Sequence, residues 1–218
     1  MIDVKIQGVY VGMPKTFPPN PKLKSAFFKD PVQGFVKCEP GHLHGDDAAN
    51  KKYHGGPDRV IHHYASENFE QWKMMYPEFA DTFLPGTFGE NISTQGVTEQ
   101  DVCIGDIYQL GSAVVQLSEG RKPCGFIDMR YDVNGIHREA QKLKKMGWFY
   151  RVLEAGEFQV GSRLQLRERP REWARLDVVA DAIMNGVDDQ GLLGRLVELE
   201  EMSPDWRRRA SVQINRRR

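Results

Sequence analysis

The sequence predicts a mostly β protein, a β-barrel with two accessory helices that is followed by a small helical appendage. Short apolar, β-branched runs separated by turn residues recur along the first three quarters of the chain, which is typical of barrels. After residue 167 the pattern changes to short amphipathic helices. The chain of 218 residues can bury a substantial core. We therefore predict a barrel domain over 1–167 and a three-helix domain over 174–218.

Charge and cysteine content limit the classes of partner and compartment. Lys plus Arg equals Asp plus Glu at 30 each, so no net charge attracts nucleic acid or an anionic membrane. No apolar window approaches the roughly 20 residues of a membrane span, and the first residues lack a secretion signal. The three cysteines are odd in number and far apart, which argues against a disulfide framework. These features predict a soluble cytoplasmic protein with reduced thiols.

The N-terminal region predicts three strands. Residues 2–13 alternate between apolar and polar side chains and predict the first strand, and the prolines after it predict an irregular crossing. Shorter strands are predicted at 25–28 and 32–38. Cys38 falls on the same face as the valines of its strand, so we predict that its thiol packs in the core.

Residues 40–58, with the sequence PGHLHGDDAANKKYHGGPD, predict a long polar loop, because they show neither a helical nor a strand period. A loop of this length in a compact domain is usually functional or mobile. We predict that Gly55 and Gly56 let the backbone approach a ligand. Donors for phosphate or another anion are predicted at the neighbouring side chains Lys52, His54 and Arg59. The histidines of the loop match no usual zinc-ligand spacing.

A strand, a helix and a second polar loop follow. Residues 59–64 predict a strand with His62 and His63 on opposite faces, and both histidines are predicted to be structural. Ser66 is the predicted N-cap of a helix whose aromatic residues, at helical spacing, face the core. The loop over 85–96 carries neutral hydrogen-bond groups, including Thr87 and Asn91. Residues 102–110 then predict the next strand, turned at Gly105 and Asp106.

The segment 113–126, AVVQLSEGRKPCGF, is the main candidate for chemistry. Its first five residues predict a strand, and residues 118–123 then predict a tight loop that presents Cys124. The positive charges of Arg121 and Lys122 favour the thiolate, which is both a nucleophile and a soft metal ligand. Packing of Cys124 as a small hydrophobic residue is the alternative.

The remaining elements complete the barrel and the appendage. A helix is predicted at 136–146 and ends at Gly147, and strands follow at 148–153 and 162–167. Three short helices come last, with Ser203 as the N-cap of the third. An appendage of roughly 45 residues buries little surface alone, so we expect it to dock on the barrel or on a second subunit.

Four ordered motifs resemble those of MOSC-domain proteins of the YiiM type, a family named for the C-terminal domain of molybdenum-cofactor sulfurase. They are KKYHGGPDRVIHHY, PGTFGENISTQGVTEQDVCIGDIYQLG, the RKPC loop and GWFYRVL. The resemblance covers nearly the whole chain. It implies a MOSC-type β-barrel that holds molybdenum cofactor, a pyranopterin dithiolene with a terminal phosphate, and it places Cys124 at the position of the protein ligand to molybdenum. Pyridoxal phosphate is a second ligand that the family resemblance implies.

The resemblance also implies a reaction. YiiM-type proteins are similar to the eukaryotic amidoxime-reducing proteins, which implies reduction of N-hydroxylated compounds, including N-hydroxylated purine base analogues, to the amine. The predicted catalytic residues are Cys124, His54 and Asp58, the last two on a proton path. The predicted cofactor contacts are Lys52, His54, Gly55, Gly56, Arg59, Thr87, Asn91, Arg121 and Cys124. Electrons would come from a separate reductase, because the sequence carries no flavin, haem or iron–sulfur signature.

Two alternatives remain open at this point. Cys124 could accept sulfur as a persulfide and pass it on, which would make the protein a sulfur carrier or binding module. The arginines at 207–209 and 216–218 could instead contact nucleic acid, although a solvated helix face explains them as well. The oligomeric state, monomer or homodimer, is also open.

Overall fold

Seven strands close into a barrel in the computed structural model, which describes residues 2–186 and 188–216. The strands, barrel and accessory together, are β1 Asp3–Val11, β2 Lys15–Phe17, β3 Asn20–Ser25, β4 Asp30–Pro31, β5 Val36–Glu39, β6 His42–Leu43, β7 Ile61–Ala65, β8 Ile92–Thr94, β9 Ile107–Leu110, β10 Ala113–Gly120, β11 Trp148–Glu154, β12 Gly156–Phe158 and β13 Arg163–Glu168. The helices are α1 Lys51–His54, α2 Glu67–Met75, α3 Phe126–Tyr131, α4 Ile136–Lys142, α5 Leu176–Ala180, α6 Gln190–Val197 and α7 Pro204–Asn215. A 3-10 helix over Pro77–Thr82 and a π-helical turn over Asp181–Asn185 complete the elements.

The barrel strands follow the order β13, β9, β10, β11, β7, β8 and β1. Antiparallel pairing of β1 with β13, with Val4 opposite Leu164, closes the ring. The neighbours in this ring are antiparallel except β7 and β8, which run parallel with His63 opposite Ile92. The prediction of a mostly β fold built on a barrel with accessory helices is therefore confirmed.

Strand β10 is buried along its whole length. All eight of its residues are buried. The prediction that residues 118–120 leave the strand was wrong, because Glu119 and Gly120 still pair with β11. Their outer face is covered by the C-terminal helices, and a Cβ at Gly120 would lie 2.6 Å from Cη2 of Trp206. Burial on both faces therefore keeps polar and glycine residues in a strand that their local propensities would end.

The C-terminal helices dock on the barrel. Leu176, Leu196 and Trp206 are buried in the same apolar cluster as Leu117 of β10. The backbone N–H of Ser203 donates to the Ser118 carbonyl oxygen at 2.9 Å. The Ser203 hydroxyl accepts from the Trp206 N–H at 3.2 Å, which confirms Ser203 as the N-cap of α7. The expected docking surface is thus the barrel itself, while the boundaries at 167 and 174 stay a prediction.

Several local expectations were wrong. The proline-rich segment forms the hairpin β2–β3 instead of an irregular crossing, because its ribbon lies outside the barrel, where a missing N–H is tolerated. Residues 26–28 are not in a strand, since β3 ends at Ser25, and the predicted loop over 40–58 contains β6 and α1. Ser66 precedes α2, but its hydroxyl donates to Gln7 Oε1 at 3.1 Å and makes no cap. Within the described residues, no helix has the length and apolar character to cross a membrane.

Candidate functional site

A cavity of about 460 Å³ lies between the barrel and its connecting segments. Its walls come from parts of the stretches 23–29, 41–50, 54–62, 89–91 and 121–126, together with Phe149 of β11. The volume falls within the range of about 300–1,000 Å³ that is usual for small-molecule and cofactor sites. The chain therefore has room for a ligand of cofactor size.

Cys124 lies in the wall of this cavity, between the end of β10 and the start of α3. It is partly exposed, whereas Cys38 and Cys103 are buried. Cys38 packs in the core as predicted, and burial raises the pKa of both buried thiols to about 11. The Arg121 N–H donates to the Gly147 carbonyl oxygen at 3.0 Å, which ties the loop to the start of β11. Cys124 is thus the thiol that the fold presents to a ligand.

Two buried cations line the same cavity. Arg121 is 8% exposed, and its Nη1 has no hydrogen-bond partner among the described residues. The side chain of Lys29 is also 8% exposed and pairs with Asp46, which accepts the Gly12 N–H at 2.8 Å as well. Burial lowers the pKa of Lys29, although the charge of Asp46 opposes this shift. An unpartnered buried donor costs free energy, so this wall fits a ligand that brings an acceptor, above all an anion.

Aromatic rings form another part of the wall. Phe27 and Phe126 stack with their ring centroids 6.2 Å apart and an interplanar angle of 25°. The Arg121 guanidinium lies 5.9 Å from the Phe27 centroid, so the cationic and aromatic walls adjoin. On β11, Phe149 lies 5.1 Å from the His62 ring. Flat apolar surfaces of this kind suit a planar ring system.

The cavity brings together seven of the nine predicted cofactor contacts. These seven lining residues are His54, Gly55, Gly56, Arg59, Asn91, Arg121 and Cys124. Gly56 has φ of +111°, a conformation that favours glycine, and a Cβ there would meet no atom within 4 Å. The backbone at Gly56 is therefore open to the cavity, as the prediction of a close ligand approach requires.

Two of these lining side chains are already engaged by the protein. Asn91 accepts the His62 N–H at 2.9 Å and donates to the Tyr10 carbonyl oxygen at 3.1 Å, so its amide joins β7 to β1. Arg59 donates to Glu119, to Asp205 and to a backbone oxygen of α1. We therefore assign both side chains to shaping the wall.

Three predicted site residues lie outside the cavity lining. Lys52 is exposed on α1. The Thr87 hydroxyl donates to the Leu84 carbonyl oxygen at 2.6 Å, within its own turn. Asp58, predicted on a proton path, pairs instead with Arg151 at 2.7 Å. The sequence grouped these residues with the site because they are close to it along the chain, but the backbone directs their side chains elsewhere.

Sequence reasoning missed several residues of the cavity. Phe27 lies in a predicted strand and Lys29 directly follows it, while Asp46 lies in the loop over 40–58 but was not among that loop's predicted ligand contacts. His62 was predicted to be structural, and its burial agrees with this. His62 nevertheless lines the cavity as well. A charged residue directly after two phenylalanines, as at Lys29, is the one signal that could have raised attention.

The arginine-rich end of the chain is the alternative candidate for a nucleic-acid contact. Arg208 and Arg209 both pair with Asp205 on their own helix. Arg217 and Arg218, in the predicted tail, lie outside the described residues. The described contacts therefore account for these two arginines within the fold.

The titration of His54 provides a test of the site's charge. Partial desolvation at the cavity wall and the positive charges of Arg121 and Arg59 lower the pKa of His54 below its ordinary 6.5. The folded protein thus disfavours protonation, and its stability decreases as the pH falls from about 6.5 toward the lower folded-state pKa. We expect a proton NMR titration to give a His54 pKa under 6.5, and Arg121→Gln to raise it. An unchanged pKa in that variant would show that Arg121 does not act on His54.

A closed barrel that presents a thiol, buried cations and aromatic walls in one cavity has the features of a small-ligand-binding barrel. The family model of the MOSC domain matches residues 50–165. The chain is 35% identical over 200 residues to the protein YiiM of Escherichia coli, covering 92% of this chain and 88% of that protein. The chain therefore belongs to the MOSC-domain family.

Two further comparisons agree with this assignment. The crystal structure of YiiM from Escherichia coli superposes with a TM-score of 0.82 at 28% identity, covering 100% of this chain and 95% of that one. A protein of Gibberella moniliformis named as a reductase is 33% identical over 159 residues, 72% of this chain but 28% of its own length. The match to that longer protein thus concerns one part of it.

Proposed function

We propose that the protein binds molybdenum cofactor in this cavity and reduces N-hydroxylated compounds, purine base analogues among them, to amines. The observation that carries this proposal is the meeting of the partly exposed thiol of Cys124 with the unpartnered buried Nη1 of Arg121 in one cavity. MOSC domains are associated with this cofactor. The relative named as a reductase supports an oxidoreductase.

The residues present fit the chemistry of the group. A thiolate sulfur, as Cys124 offers, is a soft metal ligand. The free N–H of Arg121 suits a phosphate oxygen, with which guanidinium groups form strong hydrogen bonds. The stacked rings of Phe27 and Phe126 suit the flat pterin.

Reduction of an N-hydroxyl group to an amine consumes two electrons and two protons and releases water. When bound, the cofactor supplies the two-electron chemistry at the N–O bond, and a separate reductase supplies the electrons. The chain supplies protons and orientation. Lys29 holds a proton at Nζ, and its lowered pKa makes it a stronger acid than an exposed lysine. His54, neutral at pH 7, accepts a proton at its ring, and Lys29 takes the place on the proton path first predicted for Asp58.

Arg121→Gln is expected to weaken retention of the cofactor about 10- to 100-fold, because a hydrogen bond from a charged donor contributes about 1.5–3 kcal/mol. Molybdenum and pterin content after extensive dialysis gives the measurement. Arg208→Gln is the matched control, since its side chain is 72% exposed on α7 and is not part of the cavity lining. Equal losses of molybdenum and pterin in Arg121→Gln and Arg208→Gln would contradict a role for Arg121 in cofactor binding.

The reaction itself is tested on protein expressed with a complete cofactor pathway. N-hydroxyadenine is supplied with a chemical reductant or an added reductase, and formation of adenine is followed by chromatography. We expect amine formation that depends on the loaded protein. Full molybdenum loading without amine formation would overturn the reductase proposal, and a well-folded protein without molybdenum would overturn cofactor binding.

A further inference from the structure

We infer that Asp205, in the first turn of α7, is a positioning residue of the cavity. Together with Glu119 it holds the guanidinium of Arg59, and Arg59 in turn holds the turn of α1 that leads into residues 54–56, which line the cavity. The C-terminal helices thus complete the site, although none of their residues lines the cavity. This inference goes beyond the proposed function and applies to whatever molecule the cavity binds.

The guanidinium of Arg59 connects three separate parts of the chain. Its Nε donates to Glu119 on β10, and its Nη2 donates to Asp205 Oδ2 at 3.0 Å. Its Nη1 donates to the carbonyl oxygen of Tyr53, in α1, at 2.8 Å. One side chain therefore joins the barrel, the last helix and the cavity wall.

The two carboxylates around Arg59 differ in exposure: Glu119 is buried, whereas the side chain of Asp205 is 26% exposed. Glu119 is 1% exposed, and burial raises its pKa, while hydrogen bonds from Arg59 and Ser203 oppose that shift. For Asp205 the effect of burial is outweighed by Arg209, Arg208 and Arg59, so its pKa is lowered and it is charged at neutral pH. A buried or partly buried ion pair holds its geometry better than an exposed pair, and removing Asp205 leaves the charge of Arg59 less well compensated.

The wall itself has few other supports. Helix α1 has four residues and buries none of them, and Asn50 at its start makes no side-chain cap. A helix this short does not persist without tertiary contacts. Its ion pair between Lys51 and Asp47 is exposed and contributes little. The contact from Arg59 to Tyr53 is therefore a principal restraint on the stretch that leads into His54, Gly55 and Gly56.

The test uses the full-length, cofactor-free protein. Amide hydrogen exchange is measured at Tyr53, His54 and Gly55, whose N–H groups donate within the turn of α1. Asp205→Asn is expected to speed exchange at these amides about tenfold, the effect of about 1.4 kcal/mol lost from local stability. Labelling of Cys124 by a bulky maleimide should also become several-fold faster, and the buried Cys38 and Cys103 serve as internal references.

Two further variants separate positioning from general stability. Asp205→Glu keeps the carboxylate and is expected to restore both rates toward native values. Arg208→Gln removes another partner of Asp205 that makes no contact with Arg59, and it should leave both rates unchanged. Unaltered exchange at the three α1 amides in Asp205→Asn would overturn the inference. So would an equal rise across the β9 and β10 amides, because that pattern indicates global destabilisation.

Discussion

Under the proposed function, native protein expressed with a complete cofactor pathway is expected to carry molybdenum near stoichiometry, and replacing Cys124 by alanine is expected to remove it. We expect a loss of at least about 100-fold in metal affinity, since changing even an outer-shell partner of a metal ligand costs 10–100-fold. The fold should be unaffected, because Cys124 is partly exposed on a loop and contributes little apolar burial. Elemental analysis of molybdenum, with pterin measured on the same samples, checks the prediction.

Cys103→Ala is the matched control for this experiment. Cys103 is a buried thiol whose Sγ lies 3.5 Å from the Glu172 carbonyl oxygen, away from the cavity lining. The control should keep its molybdenum even if it loses a little stability. Equal molybdenum in native protein and Cys124→Ala would rule out the ligand role. Native protein without molybdenum, but with a persulfide on Cys124, would instead support the sulfur carrier.

Replacing Gly147 by alanine is expected to destabilise the fold strongly. Gly147 has φ of +72°, and an added Cβ would overlap the His63 carbonyl oxygen and lie 2.8 Å from Nε2 of His62. The left-handed backbone costs a residue with a side chain about 1–2 kcal/mol, and overpacking adds about 1–3 kcal/mol. For a chain of this size, a loss of about 3 kcal/mol lowers the melting temperature by about 6–12 °C.

Gly161→Ala separates the two causes of destabilisation, the strained left-handed backbone and the steric overlap of the added Cβ. Gly161 also has a positive φ, +86°, but a Cβ there would meet nothing within 4 Å. We expect it to show the backbone cost alone, which calorimetry on both variants would reveal. A melting temperature no lower for Gly147→Ala than for Gly161→Ala would contradict the steric explanation. The Gly147 carbonyl oxygen also accepts the Arg121 N–H. The structural disturbance in Gly147→Ala should therefore also displace the loop that carries Cys124.

The sequence was most informative where structure depends on neighbours along the chain. The strands around residues 3–11, 113–117 and 148–154 follow from their apolar, β-branched side chains, which suit a pleated, buried surface. The loop that presents Cys124 follows from the proline and glycine around it. The N-cap at Ser203 likewise depends on groups within one turn of a helix.

The site was predictable only in part, for a physical reason. The cavity lining unites residues far apart in the chain, so the sequence around Lys29 does not show that it shares a cavity with Cys124. Asp58 and Thr87 have chemistry that suits a site, yet closer partners engage them. Residue type gives the chemistry that a side chain can perform, whereas its partners decide whether it is free to perform it.

The sequence by itself determined the fold class, the cysteine loop and the glycine-rich stretch that opens to the cavity. Only the tertiary structure decided that residues 118–120 remain in β10, because the C-terminal helical region covers them, and that Arg59 shapes a wall. Arg59 and Asp205 are 146 positions apart in the chain. Local propensities act over a few residues, whereas burial and ion pairing depend on which distant segments the closed barrel brings together.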